Sequence, residues 1–150
     1  MKYDILFYLS KKTAYCEKQV KKAFEKIDFN IRTVNSSVTP INLGEQVCNS
    51  LKYCNIVVII GGLYLNDDDN LSVVLSRVMS SSGLTLSNMR KLNFNNQSGY
   101  IIRYKNQIIL ALPDNPSAVE NMLSEDLLDY IKNIYNKQEL RDLETQTDKN

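Results

Sequence analysis

The 150-residue sequence contains no histidine and no tryptophan, and only three cysteines, three prolines and five glycines. Without histidine, a Ser-His or Cys-His nucleophile and a histidine-ligated metal are both excluded. Acid–base chemistry then falls to carboxylates, lysines and tyrosines. Cys16, Cys48 and Cys54 are odd in number and none belongs to a Cys-x-x-Cys pair. Neither a disulfide framework nor a zinc site is indicated, and buried free thiols are expected. Long apolar runs are missing too, since nothing approaches the roughly 18 residues of a membrane span. The apolar run within the first ten residues is too short for a secretory leader and carries Asp4 where basic residues are wanted. The expectation is a cytoplasmic protein without a membrane partner. Charge of one sign is also lacking: Lys+Arg 18 against Asp+Glu 17 gives a net charge of +1, which provides no electrostatic footprint for nucleic acid.

What is present is a hydrophobic content of 43%, enough for one core in a chain of this length. Residues 1–140 read as a single domain and 141–150 as a polar, flexible tail. Tyr3 to Leu9 predicts a strand, and Cys16, Val20, Ala23, Phe24 and Ile27 recur at helical spacing. The outer face of that helix is rich in lysine, which fits a solvated surface better than a docking site. Phe29 to Val34 predicts a second strand, and Leu43, Val47, Leu51 and Cys54 a second helix. Ile56 to Ile60 is an unbroken β-branched run of the kind buried on both faces of a parallel sheet. Leu71, Val74, Leu75, Val78 and Met79 continue as a helix that the Ser80 to Gly83 segment stops. The alternation specifies an α/β domain with right-handed crossovers.

Beyond Leu84 the chain turns polar, and residues 84–98 read as a long loop with room for a short helix or edge strand. Tyr100 to Tyr104 and Gln107 to Leu112 flank Lys105-Asn106 as a β-hairpin. Asn115 suits the N-cap and Pro116 the first position of a closing helix, whose apolar stripe runs from Val119 through Leu127 to Ile134.

The segment of greatest chemical promise is Asn55 to Asn70. Gly61 and Gly62 end the buried strand and let the backbone approach a ligand closely. Asp67, Asp68 and Asp69 precede the next helix, where a plain loop and N-cap would serve equally well.

Two separated patterns, Gly61-Gly62-Leu63 with Asp68-Asp69, and Gly99-Tyr100 with Leu112-Pro113-Asp114-Asn115-Pro116, together resemble the molybdopterin-binding domain family. They look most like the N-terminal domain of the competence/damage-inducible A proteins, with the pattern Thr-Gly-Gly-Leu-Gly-Pro-Thr-x-Asp-Asp and, later, Leu-Pro-Gly-x-Pro. The resemblance implies a three-layer α/β sandwich with a mostly parallel sheet and a β-hairpin. It places a ligand crevice where the two loops meet, at the carboxyl ends of neighbouring strands, as sheet topology also suggests. It further implies molybdopterin or a nucleotide as ligand and a homo-oligomer as the assembled state. Gly61, Gly62, Asn66, Leu112 and Pro113 would then line the site. Asp68 and Asp69 would hold Mg²⁺ and serve any phosphoryl chemistry.

The chain also departs from the pattern. Ile60 replaces the threonine, Tyr64-Leu65 the Gly-Pro pair and Asp114 the glycine of Leu-Pro-Gly, while Asn35-Ser36-Ser37 lacks the aspartate of adenylylating relatives. The expectation is therefore a stand-alone binding protein for a pterin phosphate or nucleotide, with catalysis reduced or absent. The alternatives are an active Mg²⁺-dependent pyrophosphatase for ADP-ribose-like substrates, a molybdopterin adenylyltransferase, or a non-catalytic assembly subunit in which Leu63, Tyr64 and Leu65 close the crevice or pack on a partner.

Overall fold

Ile56–Ile60 is the centre of the molecule. The computed structural model, which describes residues 1–63, 70–81 and 89–148, places all five residues of this strand out of solvent. A strand covered on both faces needs a layer of helices on each side, and the chain supplies both. In order the elements are β1 (Lys2–Tyr8), α1 (Thr13–Glu25), β2 (Asn30–Ser37), α2 (Pro40–Tyr53), β3 (Ile56–Ile60) and α3 (Leu71–Ser81). They continue as β4 (Met89–Phe94), β5 (Gln97–Tyr104), β6 (Gln107–Leu112), α4 (Pro116–Met122) and α5 (Glu125–Asp148).

The strands form one sheet in the order β2-β1-β3-β6-β5-β4. β2, β1, β3 and β6 are parallel, and β5 runs antiparallel to both its neighbours. Because side chains alternate across a strand, Tyr3, Ile5, Phe7, Ile56, Val58, Ile60, Ile108, Leu110 and Leu112 face one layer, packed with α1, α4 and α5. Leu6, Tyr8, Val57, Ile59, Ile109 and Ala111 face the other, packed with α2 and α3. Each fully buried aliphatic side chain contributes about 1.5–3 kcal/mol of transfer free energy. The expected three-layer sandwich is thus formed, with the antiparallel β4-β5-β6 unit at one end.

Three local expectations are refined or corrected. Of residues 84–98, read as a long loop with room for a short helix or edge strand, the part from Met89 is the edge strand β4 and the start of β5, joined through Asn95 at φ +53°; residues 84–88 lie outside the described residues. Asparagine tolerates that left-handed conformation. The single closing helix is two helices. Leu123, at φ −84° and ψ 58°, breaks the ladder, and the Ser124 hydroxyl restarts it by accepting from the Leu127 N–H at 3.2 Å. Cys48 is exposed, whereas Cys16 and Cys54 are buried. The Asn115 cap is as expected: its side chain accepts from Ser117 and Ala118, with Pro116 at the first turn. Among the described residues no helix is long and apolar enough to cross a membrane.

Candidate functional site

The registers Phe7↔Ile60 and Ile60↔Leu112 bring the carboxyl ends of β1, β3 and β6 side by side. The loops that leave these three strands therefore meet one another. After β3, Gly61 and Gly62 take φ values of +105° and +74°. A Cβ on Gly61 would lie 2.1 Å from the Tyr8 carbonyl oxygen, and one on Gly62 would lie 2.4 Å from Cδ2 of the buried Tyr8 ring. The glycines are required by close approach to β1 itself. The Gly61 N–H donates to the Leu112 carbonyl at 3.0 Å and so extends the β3–β6 ladder. The Gly62 carbonyl accepts from Leu71 N at 2.8 Å, and no partner for the Gly62 N–H stands among the described residues. The side chain that caps α3 is Asn70, whose Oδ1 accepts from Ser72 N at 2.8 Å.

After β1, Leu9 adopts φ +51°, a conformation that costs a non-glycine residue about 1–2 kcal/mol. Its N–H is tied to the Ser37 carbonyl at 3.1 Å. The turn aims the next N–H groups across the strand ends. Lys12, at the N-cap of α1, makes no side-chain cap. Asp114, from the loop after β6, caps the helix instead: its carboxylate accepts from Ser10 Oγ at 2.8 Å, Lys11 N at 2.7 Å and Lys12 N at 3.1 Å, with Cys16 Sγ at 3.8 Å. Successive backbone N–H groups at a helix start form an anion cradle. Here a carboxylate of the chain itself fills it.

The electrostatics follow from these contacts. Burial alone would raise the Asp114 pKa, but donation from Lys11 N, Ser10, Lys12 N and Cys16 holds it below the ordinary 3.8. Burial, and then the Asp114 charge, push the Cys16 thiol up to about 12. A thiol so raised stays protonated at neutral pH and is no nucleophile.

Of the residues expected at the site, Gly61, Gly62, Leu112 and Pro113 do come together. Leu112 contributes its carbonyl to Gly61 while its side chain, like Pro113, is buried. Asn66, Asp68 and Asp69, and also Tyr64 and Leu65, lie outside the described residues. Among the described residues no group of three or more acidic or cysteine side chains is placed to hold a metal. Beside the Gly-Gly turn, on the α3 side, is a cavity of about 110 Å³ bounded by Leu63, Leu71, Leu75, Met89, Tyr100 and Ile102. Sequence reasoning missed Ser10 and the Lys11 and Lys12 amides as partners of Asp114. The signal was Asp114 itself, an acid in place of glycine.

Asp114→Asn keeps the shape but turns an acceptor toward the N–H groups as a donor, and is expected to cost about 1–2 kcal/mol at pH 7. The lowered pKa means that the wild-type carboxylate stabilises fully above the ordinary value of 3.8. That contribution is lost as pH falls through the lower folded value. Urea titrations of both proteins should therefore show a gap at pH 7 that narrows as pH falls below 3.8.

The strand order and the two helical layers define the class: this is the molybdopterin-binding α/β fold. A solved CinA structure from Thermoplasma acidophilum superposes with a TM-score of 0.65 at 12% identity, covering 81% of this chain and 93% of that one. A MogA structure gives 0.62 at 16% identity, covering 89% and 99%. A molybdenum cofactor biosynthesis protein B gives 0.66 at 10% identity, covering 91% and 94%. No protein-family model matches the sequence, and no curated protein is similar to it in sequence. The likeness is one of fold.

Proposed function

We propose that this protein binds a pterin phosphate or a nucleotide beside the Gly61-Gly62 turn, with catalysis reduced or absent. The observation that carries this reading is the Asp114 carboxylate in the cradle at the start of α1. A fixed negative charge there opposes a second anion at the same amides, and the Gly61 N–H is already committed to Leu112. Phosphoryl transfer depends on donors and cations converging on the transferring group. Here part of that set serves the fold.

Binding is supported on the other side of the turn. The Leu63, Leu71, Leu75 and Tyr100 cavity is apolar enough for the edge of a planar ring, and the Gly62 N–H is the group proposed to meet a phosphate oxygen. Asp68 and Asp69 are the residues proposed to hold Mg²⁺, whose charge would offset that of the phosphate. Molybdopterin, ATP, ADP-ribose and FAD, each with and without Mg²⁺, form the test panel for thermal shift. A ligand at a hundred times its dissociation constant adds about 2.7 kcal/mol of stability. At least one should raise the midpoint without being turned over. Sustained turnover of ADP-ribose, or of ATP with molybdopterin, would replace the binding module by the enzyme. Asp68→Ala with Asp69→Ala should abolish any Mg²⁺-dependent part of the affinity; an unchanged Mg²⁺ effect removes these residues from the site.

A further inference from the structure

The helical layer formed by α1, α4 and α5 divides its charge in two. Residues 11–26 carry six lysines and two glutamates, whereas residues 113–131 carry five acids and neither lysine nor arginine. The net charge of +1 therefore hides a polarised surface. On α1, Tyr15, Lys18, Lys22 and Lys26 recur at i, i+3, i+7 and i+11, which places them in one stripe. All four are exposed, Tyr15 at 67%. Glu17 is engaged by Lys21 at 3.7 Å, which leaves Glu25 as the other acid of the helix. Around the α4–α5 junction Asp114 turns inward to cap α1, but Glu120, Glu125, Asp126 and Asp129 are exposed, as is Tyr130. The two patches do not neutralise each other within the chain. Although α1 packs against α4, none of Lys18, Lys22, Glu120, Glu125, Asp126 and Asp129 makes an ion pair among the described residues.

We propose that this layer is a self-association surface on which a second copy of this chain docks about a two-fold axis, with the Lys18 and Lys22 stripe of each copy against the Glu120 to Asp129 patch of the other. A two-fold contact uses the same surface on both subunits, so each pairing occurs twice. Tyr15 and Tyr130 supply the aromatic area that interfaces favour, and Tyr130 offers a ring face to the opposing lysines. A nucleic acid or an anionic membrane would meet the lysines but be repelled by the acids of the same layer. The association is weak and electrostatic, since exposed ion pairs each add little. It is separate from the Gly-Gly crevice and does not depend on the function proposed there.

Analytical ultracentrifugation of the full chain at about 20 mM and about 500 mM sodium chloride, concentrations that lengthen and shorten the screening distance, tests the assignment. A monomer–dimer equilibrium is expected at low salt and monomer alone at high salt. Lys18→Glu with Lys22→Glu should weaken self-association at low salt more than about a hundredfold, because like charges then face each other. Glu120→Lys with Asp129→Lys should do the same. Both double changes spare the first turn of α5, where acids favour the helix, and circular dichroism checks that the variants fold. Mixed in equal amounts at low salt, the two double variants should form a heterodimer, since each reversed patch then meets its opposite and both pairings are restored. A wild type that stays monomeric at low salt, a dimer that persists at high salt, self-association unchanged by either reversal, or two variants that ignore each other when mixed would each overturn the proposal.

Discussion

Asp4→Ala is expected to destabilise the protein by ~3–5 kcal/mol, the range for breaking one side of a buried ion pair. Asp4 is completely buried in β1. Its carboxylate accepts from Arg32 Nε at 3.0 Å, Arg32 Nη2 at 2.6 Å, Thr33 N at 3.1 Å and Cys54 Sγ at 3.5 Å. The contact depends on an irregularity in the sheet. Tyr3 pairs with Ile31 and Asp4 with Thr33, so Arg32 is the extra residue of a bulge, and a bulge re-aims a side chain. The Arg32 guanidinium also lies 4.8 Å from the centre of the Tyr53 ring.

Removing the carboxylate leaves that guanidinium, whose side chain is only 26% exposed, without its counter-charge. For a domain whose total stability is about 5–15 kcal/mol, the loss is a large fraction. Urea denaturation at pH 7 measures it, and a loss under about 1 kcal/mol would be that of an ordinary surface pair instead. A companion variant separates lost charge from lost packing: Asp4→Leu with Arg32→Met should recover most of the stability, because replacing both partners by apolar groups is often close to neutral. Burial raises the Asp4 pKa, but the hydrogen bonds from Arg32, Ser50 and Thr33 and the Arg32 charge bring it below 3.8. Its stabilisation is therefore present above that ordinary value and disappears as pH falls through the folded one.

Gly61→Ala is expected to cost roughly 3 kcal/mol or more, from backbone strain and overpacking together. The new Cβ would stand 2.1 Å from the Tyr8 carbonyl oxygen and 3.2 Å from the Tyr8 carbonyl carbon. Both are backbone atoms of a central strand, so relief requires moving β1 or β3. The φ of +105° adds strain that no side chain avoids. Gly44→Ala is the matched control. Its Cβ meets only the Val78 side chain, at 3.3 Å, and alanine raises helix propensity by about 1 kcal/mol. Thermal and urea unfolding should show Gly61→Ala strongly destabilised and Gly44→Ala within about 1 kcal/mol of wild type. Equal effects would mean that β1 does not constrain the Gly-Gly turn.

The contrast between these residues shows what could be read from the sequence. Ile56–Ile60, the α1 stripe from Cys16 to Phe24 and the Asn115-Pro116 cap were legible because local periodicity and local hydrogen bonding determine them. β4 was legible only as one option within a loop, because an edge strand with an open face carries Arg90, Lys91 and Asn93 and loses the apolar alternation. The α4–α5 break escaped because the apolar stripe runs through Leu123 and only the Ser124 cap marks it. Gly61 and Gly62 were correctly placed at the strand end, yet what demands them is Tyr8, a contact between β1 and β3. Asp4 carried an unused signal, since an acid inside an apolar strand needs a buried partner. Asp114 was visible as an acid where the resembling family has glycine. Its partners were not, because Lys12 N lies 102 residues away in the chain and only the parallel order β1-β3-β6 brings them together.

The reading of reduced catalysis at the strand-end crevice turns on the Asp114 carboxylate standing where an anion would otherwise bind. Titrating ¹⁵N-labelled wild-type and Asp114→Gly proteins with pyrophosphate, and following the Lys11 and Lys12 amide resonances, tests this at the atoms concerned. In the wild type these two resonances should stay in place, and in Asp114→Gly they should shift and saturate as pyrophosphate takes the vacated cradle. Equal shifts in both proteins, or none in the variant, would show that the carboxylate holds no anion's place.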